Sequence, residues 1–91
     1  MTLETTIQAI PMHKIYSEDY RSQNRDFSIV AFRDADKITV KIYEVVDRNA
    51  RLIPQFEVSL KVDVLHEANL SKSAMFQKII TASKLFLENF Q

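Results

Sequence analysis

The amino-acid sequence predicts an α+β fold: a three-stranded antiparallel β-meander packed on one face by a long C-terminal helix, with a short helical N-terminal segment. Three observations carry this expectation. Over residues 54–65, apolar and polar residues alternate strictly, with Phe56, Val58, Leu60, Val62 and Val64 on one parity and Gln55, Glu57, Ser59, Lys61 and Asp63 on the other. Side chains of an extended chain point alternately to opposite faces, so this is a strand with one dry side and one wet side. Upstream, residues 27–33 and 38–46 are rich in β-branched and aromatic residues, which favour strands. Downstream, apolar residues recur three and four apart over residues 70–90, the spacing of one helical face.

Residues 1–25 are the least patterned. Leu3, Ile7 and Ile10 fall at helical spacing before Pro11, and Met12, Ile15, Tyr16 and Tyr20 repeat the pattern weakly. The reading is one or two short helices, with an extended segment over 5–10 as the alternative. Residues 17–26 are polar and dense in turn formers, which reads as a loop.

In the first strand Phe27, Ile29 and Ala31 share one face, and Ser28, Val30 and Phe32 the other. Residues 34–37 form a turn, because Asp bonds its own backbone and tolerates left-handed geometry. The second strand directs Ile38, Val40 and Ile42 one way and Thr39, Lys41, Tyr43 and Val45 the other. Residues 47–50 turn again, with Asn49 expected to take positive φ. Connections this short make the strands of 27–65 an antiparallel meander with the third strand at an edge. Pro54, which has no amide proton, suits that edge. In the helix, Ser71 is the expected N-cap. Met75, Ile79, Ala82, Phe86 and Phe90 form the expected buried stripe, widened by Phe76, Ile80 and Leu87. Gln77, Lys78, Thr81, Lys84 and Glu88 face water, with Lys84 and Glu88 four apart.

A chain of 91 residues, 46% hydrophobic and 26% charged, fits one globular domain spanning 1–91. Twelve basic residues balance twelve acidic ones, so no global field draws the chain to nucleic acid or to anionic lipid. Cysteine is absent, which excludes disulfides and thiolate chemistry. Glycine is absent too, which excludes the phosphate-cradling and dinucleotide-binding loops and leaves positive-φ turns to Asp and Asn. The N-terminus shows no secretory signal pattern and no apolar run approaches the roughly 18 residues of a membrane span. A soluble cytoplasmic protein is expected.

No cofactor or metal is expected. His13 and His66 stand alone rather than in a ligand spacing, and Asp34, Asp36 and Asp47 are explained as turn residues at opposite ends of the sheet. No nucleophile motif can form without glycine. Two surfaces remain. The sheet face away from the helix carries Val30, Phe32, Lys41, Tyr43, Val45 and Lys61. Residues 1–20 cover it, through Leu3, Ile7, Ile10 and Tyr16, or Phe32, Lys41, Tyr43 and Lys61 meet a partner there. The edge of the third strand offers backbone groups for strand addition and hence a homodimer, unless Pro54 and Lys61 blunt it.

The expected order of helix, three antiparallel strands and helix is similar to that of double-stranded RNA-binding domains, which set lysines at the start of the last helix. Here Lys72, Lys78 and Lys84 are spread along the helix and no glycine-rich turn precedes it, so the likeness stops at topology. The functional expectation is a non-enzymatic module that meets a protein partner or itself. The alternative is nucleic-acid binding by the sheet face or the helix lysines.

Overall fold

The computed structural model describes residues 13–34, 36–61 and 67–91. Four strands, β1 (His13–Ser22), β2 (Arg25–Asp34), β3 (Lys37–Val46) and β4 (Asn49–Lys61), form one open antiparallel sheet in the order β1-β2-β3-β4. A 3-10 helix (Glu67–Lys72) and helix α1 (Ala74–Glu88) follow. The α+β class and the meander are as expected; the strand count is not.

The fourth strand is β1, which occupies residues read as weak helix and loop. Its inward positions, set by the register Tyr16↔Ala31, Glu18↔Ile29, Tyr20↔Phe27 and Ser22↔Arg25, hold tyrosines, a carboxylate and a serine rather than aliphatic residues. Period-two alternation of hydrophobicity is therefore missing, although the strand is ten residues long. With a strand in this place, the element order no longer follows that of a double-stranded RNA-binding domain. The helical reading of Leu3, Ile7 and Ile10 lies outside the described residues.

Both hairpins at one end of the sheet turn through two residues, Gln23-Asn24 between Ser22 and Arg25, and Asp47-Arg48 between Val46 and Asn49. All four have positive φ, between 52° and 69°. Two consecutive positive φ values are the mark of a type I′ turn, whose twist matches that of the flanking strands. The expected Asn49 instead opens β4, because a two-residue loop ends one position before it. Asn24 and Asp47 tolerate this geometry; Gln23 and Arg48 adopt it at a cost of about 1–2 kcal/mol each.

On β4, Lys41 pairs with Glu57 but the next residue, Ile42, pairs with Ile53. Residues 54–56 are thus extra to the ladder, and an odd number of extra residues reverses which parity faces the core. Val58 and Leu60 face inward after the bulge and Ile53 before it, so Leu52 turns outward. Pro54 costs no ladder bond at such a place. Val62, Val64 and Leu65 of the expected strand lie outside the described residues.

The core lies between the inner sheet face and α1. Phe27, Ile29, Ala31, Ile38, Val40, Ile42 and Ile53 meet Leu70, Phe76, Ile79, Ile80 and Leu87. Helix α1 is rotated from its expected setting. Phe76, Ile80, Ser83 and Leu87 point at the sheet, while Met75 is 56% exposed and Ala82 is exposed. Ser83 fits the close approach because its hydroxyl donates to the Ile79 carbonyl at 2.8 Å, leaving no unpaired polar atom. The N-cap is Ser73, not Ser71: the Ser73 hydroxyl accepts from the Phe76 amide at 3.2 Å.

Candidate partner-binding surface

The cross-strand register places the four expected site residues, Phe32, Lys41, Tyr43 and Lys61, on the sheet face opposite α1. Phe32 is opposite Thr39, Val30 opposite Lys41 and Ser28 opposite Tyr43, so Phe32 and Tyr43 are separated by one row of the ladder. Their side chains nevertheless lean together, with ring centroids 6.5 Å apart and planes at 73°. Val30, in the row between them, is 6% exposed although α1 packs on the other side of the sheet. The Lys41 ammonium closes the group from the next strand, 5.9 Å from the centre of the Phe32 ring. Beside these side chains lies a depression of about 400 Å³ lined by Lys14, Asp19, Val30, Phe32, Tyr43 and Val45, among others. Lys61 stands apart from the aromatic pair at the end of β4, directly opposite Lys37.

Three residues of this face were not legible as such. Lys14 and Asp19 belong to the unforeseen β1, and Leu52, 41% exposed, was turned outward by the bulge. Tyr16, expected to help cover this face, is on the other one, where its ring meets Phe76 edge-on at 5.0 Å. Leu3, Ile7 and Ile10 lie outside the described residues.

The charges divide between the two faces. Arg21 closes on Asp26 at 2.7 Å at the far end of the outer face. Arg25 is on the helix side, where its Nε and Nη2 donate to the two Glu44 oxygens at 2.9 Å each. Its guanidinium stacks 5.4 Å from the Phe27 ring centre and 5.0 Å from that of Phe90. This fork holds the Glu44 carboxyl below the usual range. Arg33 also faces the helix side, opposite Ile38. The arginines therefore do not merge with Lys41 and Lys61 into one positive field.

No family model, curated protein or solved structure matches this chain. Its surfaces must be read from their own chemistry.

A second polar constellation ties β1 to α1. Tyr16 donates to Glu18 at 2.6 Å, and Lys84 approaches the other Glu18 oxygen at 2.5 Å. Lys84, and then Tyr16, hold the Glu18 carboxyl below its ordinary pKa. The bond to Glu18, with burial and the carboxylate charge adding to it, pushes the Tyr16 hydroxyl up to about 12. Tyr20 donates to Glu88. Lys84 and Glu88 thus reach β1 instead of pairing along the helix. At the helix end, Gln23 donates to the Glu88 carbonyl at 2.8 Å, and Ser22 and Gln23 reach the Leu87 carbonyl at 3.4 Å. These carbonyls are among those that the end of a helix leaves without partners. The constellation replaces the aliphatic packing that β1 lacks, so we read it as structural.

Asp34 and Asp36 flank one turn and Asp47 sits in another, at opposite ends of β3. His13 begins β1 and is exposed, while His66 lies outside the described residues. Among the described residues, no helix is long and apolar enough to cross a membrane.

Proposed function

We propose that this chain is a non-enzymatic interaction module that binds a protein partner on the outer face of its sheet. The observation carrying the proposal is the Phe32–Tyr43 pair, set on either side of the Val30 row on the face opposite α1. Aromatic side chains are favoured anchors at protein interfaces, where they contribute large contact area at small entropic cost. Mixed charge around them, with Arg21 bound to Asp26, supports a protein over a nucleic acid. Geometry supports the same choice, because an edge-to-face pair does not offer the parallel platforms on which successive bases stack.

The β4 edge is the weaker place for a second chain. Its ladder is interrupted at residues 54–56, and the opposite edge, β1, shifts register between Lys14 and Tyr16. Bulges, proline and lysine are the devices by which sheets avoid edge-to-edge pairing. Light scattering is expected to give a monomer mass; a dimer mass would return the edge to first place.

Capture from cell extract, with and without nuclease, tests the module itself. A protein retained after nuclease treatment and lost with a folded Phe32→Ser/Tyr43→Ser variant is the expected result. Capture that nuclease abolishes, or that the variant leaves intact, overturns the proposal.

A further inference from the structure

Around Phe32 the mixed charge of the outer face leans positive among the described residues, with four lysines against two carboxylates and none of the lysines in a close ion pair. Lys14 is the direct cross-strand neighbour of Phe32 on β1, and Lys41 leans over its ring. Lys37 and Lys61 face each other across β3 and β4, both exposed. Like charges directly opposed on a sheet destabilise it, and among the described residues neither lysine of this pair closes on a carboxylate. Among the described residues, Lys14, Lys37, Lys41 and Lys61 have no carboxylate within ion-pair distance. The carboxylates on this half of the face are Asp34, opposite Lys37, and Glu57, opposite Lys41. At the other end the charges are fewer and Arg21 is bound to Asp26.

The Lys37–Lys61 pair gains the sheet nothing, and an anionic partner would find there four cations with no close ion pair to break among the described residues. Beside them is the depression of about 400 Å³ floored by Val30, Phe32, Tyr43 and Val45, a size suited to one or two apolar side chains. We infer that the segment recognised by this face is an acidic peptide stretch carrying an apolar anchor: the anchor enters the depression, and flanking carboxylates meet Lys14, Lys37, Lys41 and Lys61. The inference rests on the proposed protein-binding role of the face and adds the chemistry of what is bound. Charge complementarity of this kind steers association and fixes orientation, and it weakens as salt screens it.

The test uses the full chain, isotope-labelled for amide chemical-shift mapping, with three probes: a peptide alternating glutamate with leucine and phenylalanine, the same peptide with lysine for glutamate, and an oligothymidylate. Shifts centred on Lys14, Phe32, Lys41 and Tyr43, produced by the glutamate peptide and not by the lysine peptide, are expected. Affinity should fall about tenfold or more in Lys37→Gln/Lys61→Gln, which removes a like-charge pair at two exposed positions, and again on raising the salt. Equal binding of both peptides, shifts mapping to another surface, or tighter binding of the oligothymidylate each overturns the inference. If the glutamate peptide fails while nuclease-resistant capture persists and depends on Phe32 and Tyr43, the acidic chemistry is wrong and the protein-binding face stands. Failure of both removes the face itself.

Discussion

Phe32 and Tyr43 meet edge to face at 6.5 Å although the β-ladder sets them two rows apart, and Val30, in the row between them, is almost fully buried. If the two rings cover Val30, their pairing and its burial contribute to stability together. Edge-to-face aromatic pairs contribute about 0.5–1.5 kcal/mol beyond their area. A double-mutant cycle of Phe32→Ala and Tyr43→Ala, followed by urea unfolding, is expected to give a coupling in that range. Val30→Ala should cost about 1–3 kcal/mol despite lying opposite the helix. Independent single-mutant effects, or a cost for Val30→Ala within about 0.5 kcal/mol, would show that the rings do not cover it.

The seam between β1 and α1 gives stability an acid and an alkaline limit. The folded-state pKa of Glu18 lies below its unfolded value of about 4.3, so its contribution is present above that pH and lost as pH falls through the folded value. Tyr16 has the opposite sign. Its pKa rises to about 12, so its contribution is complete below the unfolded value near 10 and lost as pH climbs toward 12. Thermal melts across pH should show Tyr16→Phe flattening the alkaline limb and Glu18→Gln flattening both limbs, because the bond to Glu18 is the largest cause of the Tyr16 shift. Part of the acid limb remains in Glu18→Gln, because the Glu44 carboxyl is also held low by Arg25. Unchanged limbs in both variants would dissolve the seam as described.

The two glycine-free turns make contrasting predictions. Arg48→Gly relieves a positive φ of 69° and creates the Asp-Gly pair that type I′ turns prefer. Allowing for the greater freedom of glycine in the unfolded chain, the gain should be about 0.5–1 kcal/mol. Gln23→Gly relieves similar strain at 55° but removes the side chain that caps the Glu88 and Leu87 carbonyls. It should be neutral or destabilising. Equal gains in the two variants, measured by chemical denaturation, would mean that the Gln23 cap contributes nothing.

What the sequence disclosed follows the physical cause of each element. Strands β2 and β3 were legible because their inner residues are aliphatic and alternate, and the faces of Val30, Phe32, Lys41 and Tyr43 followed from that parity. Strand β1 was hidden because its inner face is satisfied by hydrogen bonds and an ion pair to a helix more than sixty residues away, as between Ser22 and Leu87. Its best local trace was Tyr16 and Tyr20, alternating with polar residues ahead of Asn24. Leu52 was misplaced because parity cannot reveal an odd bulge, although Pro54 marked the spot. The lysines around Phe32 came together through pairings that distance along the chain does not encode.

The helix poses the sharpest form of the same question, since two adjacent residues compete to face the sheet. Spacing alone favours Met75 as readily as Phe76, because both begin a series of apolar residues at three- and four-residue steps. The fold chooses Phe76, which is fully buried and meets Tyr16 edge-on at 5.0 Å, while Met75 is left 56% exposed. Leu85 is likewise turned outward at 61% exposure, and Leu87 inward. Truncating a buried phenylalanine removes transfer energy and leaves a cavity, together about 3–5 kcal/mol. For a domain of this size, whose total stability is itself of order 5–10 kcal/mol, that is close to unfolding. Phe76→Ala is therefore expected to lose most of the cooperative transition in urea, whereas Met75→Ala should stay within about 0.5 kcal/mol of the parent chain. Leu87→Ala against Leu85→Ala repeats the comparison at the other end of α1, with about 2–5 kcal/mol expected for the first and little for the second. A large effect at Met75 or Leu85 would mean that those side chains are covered in solution, and that the outward face of α1 is an interface in its own right.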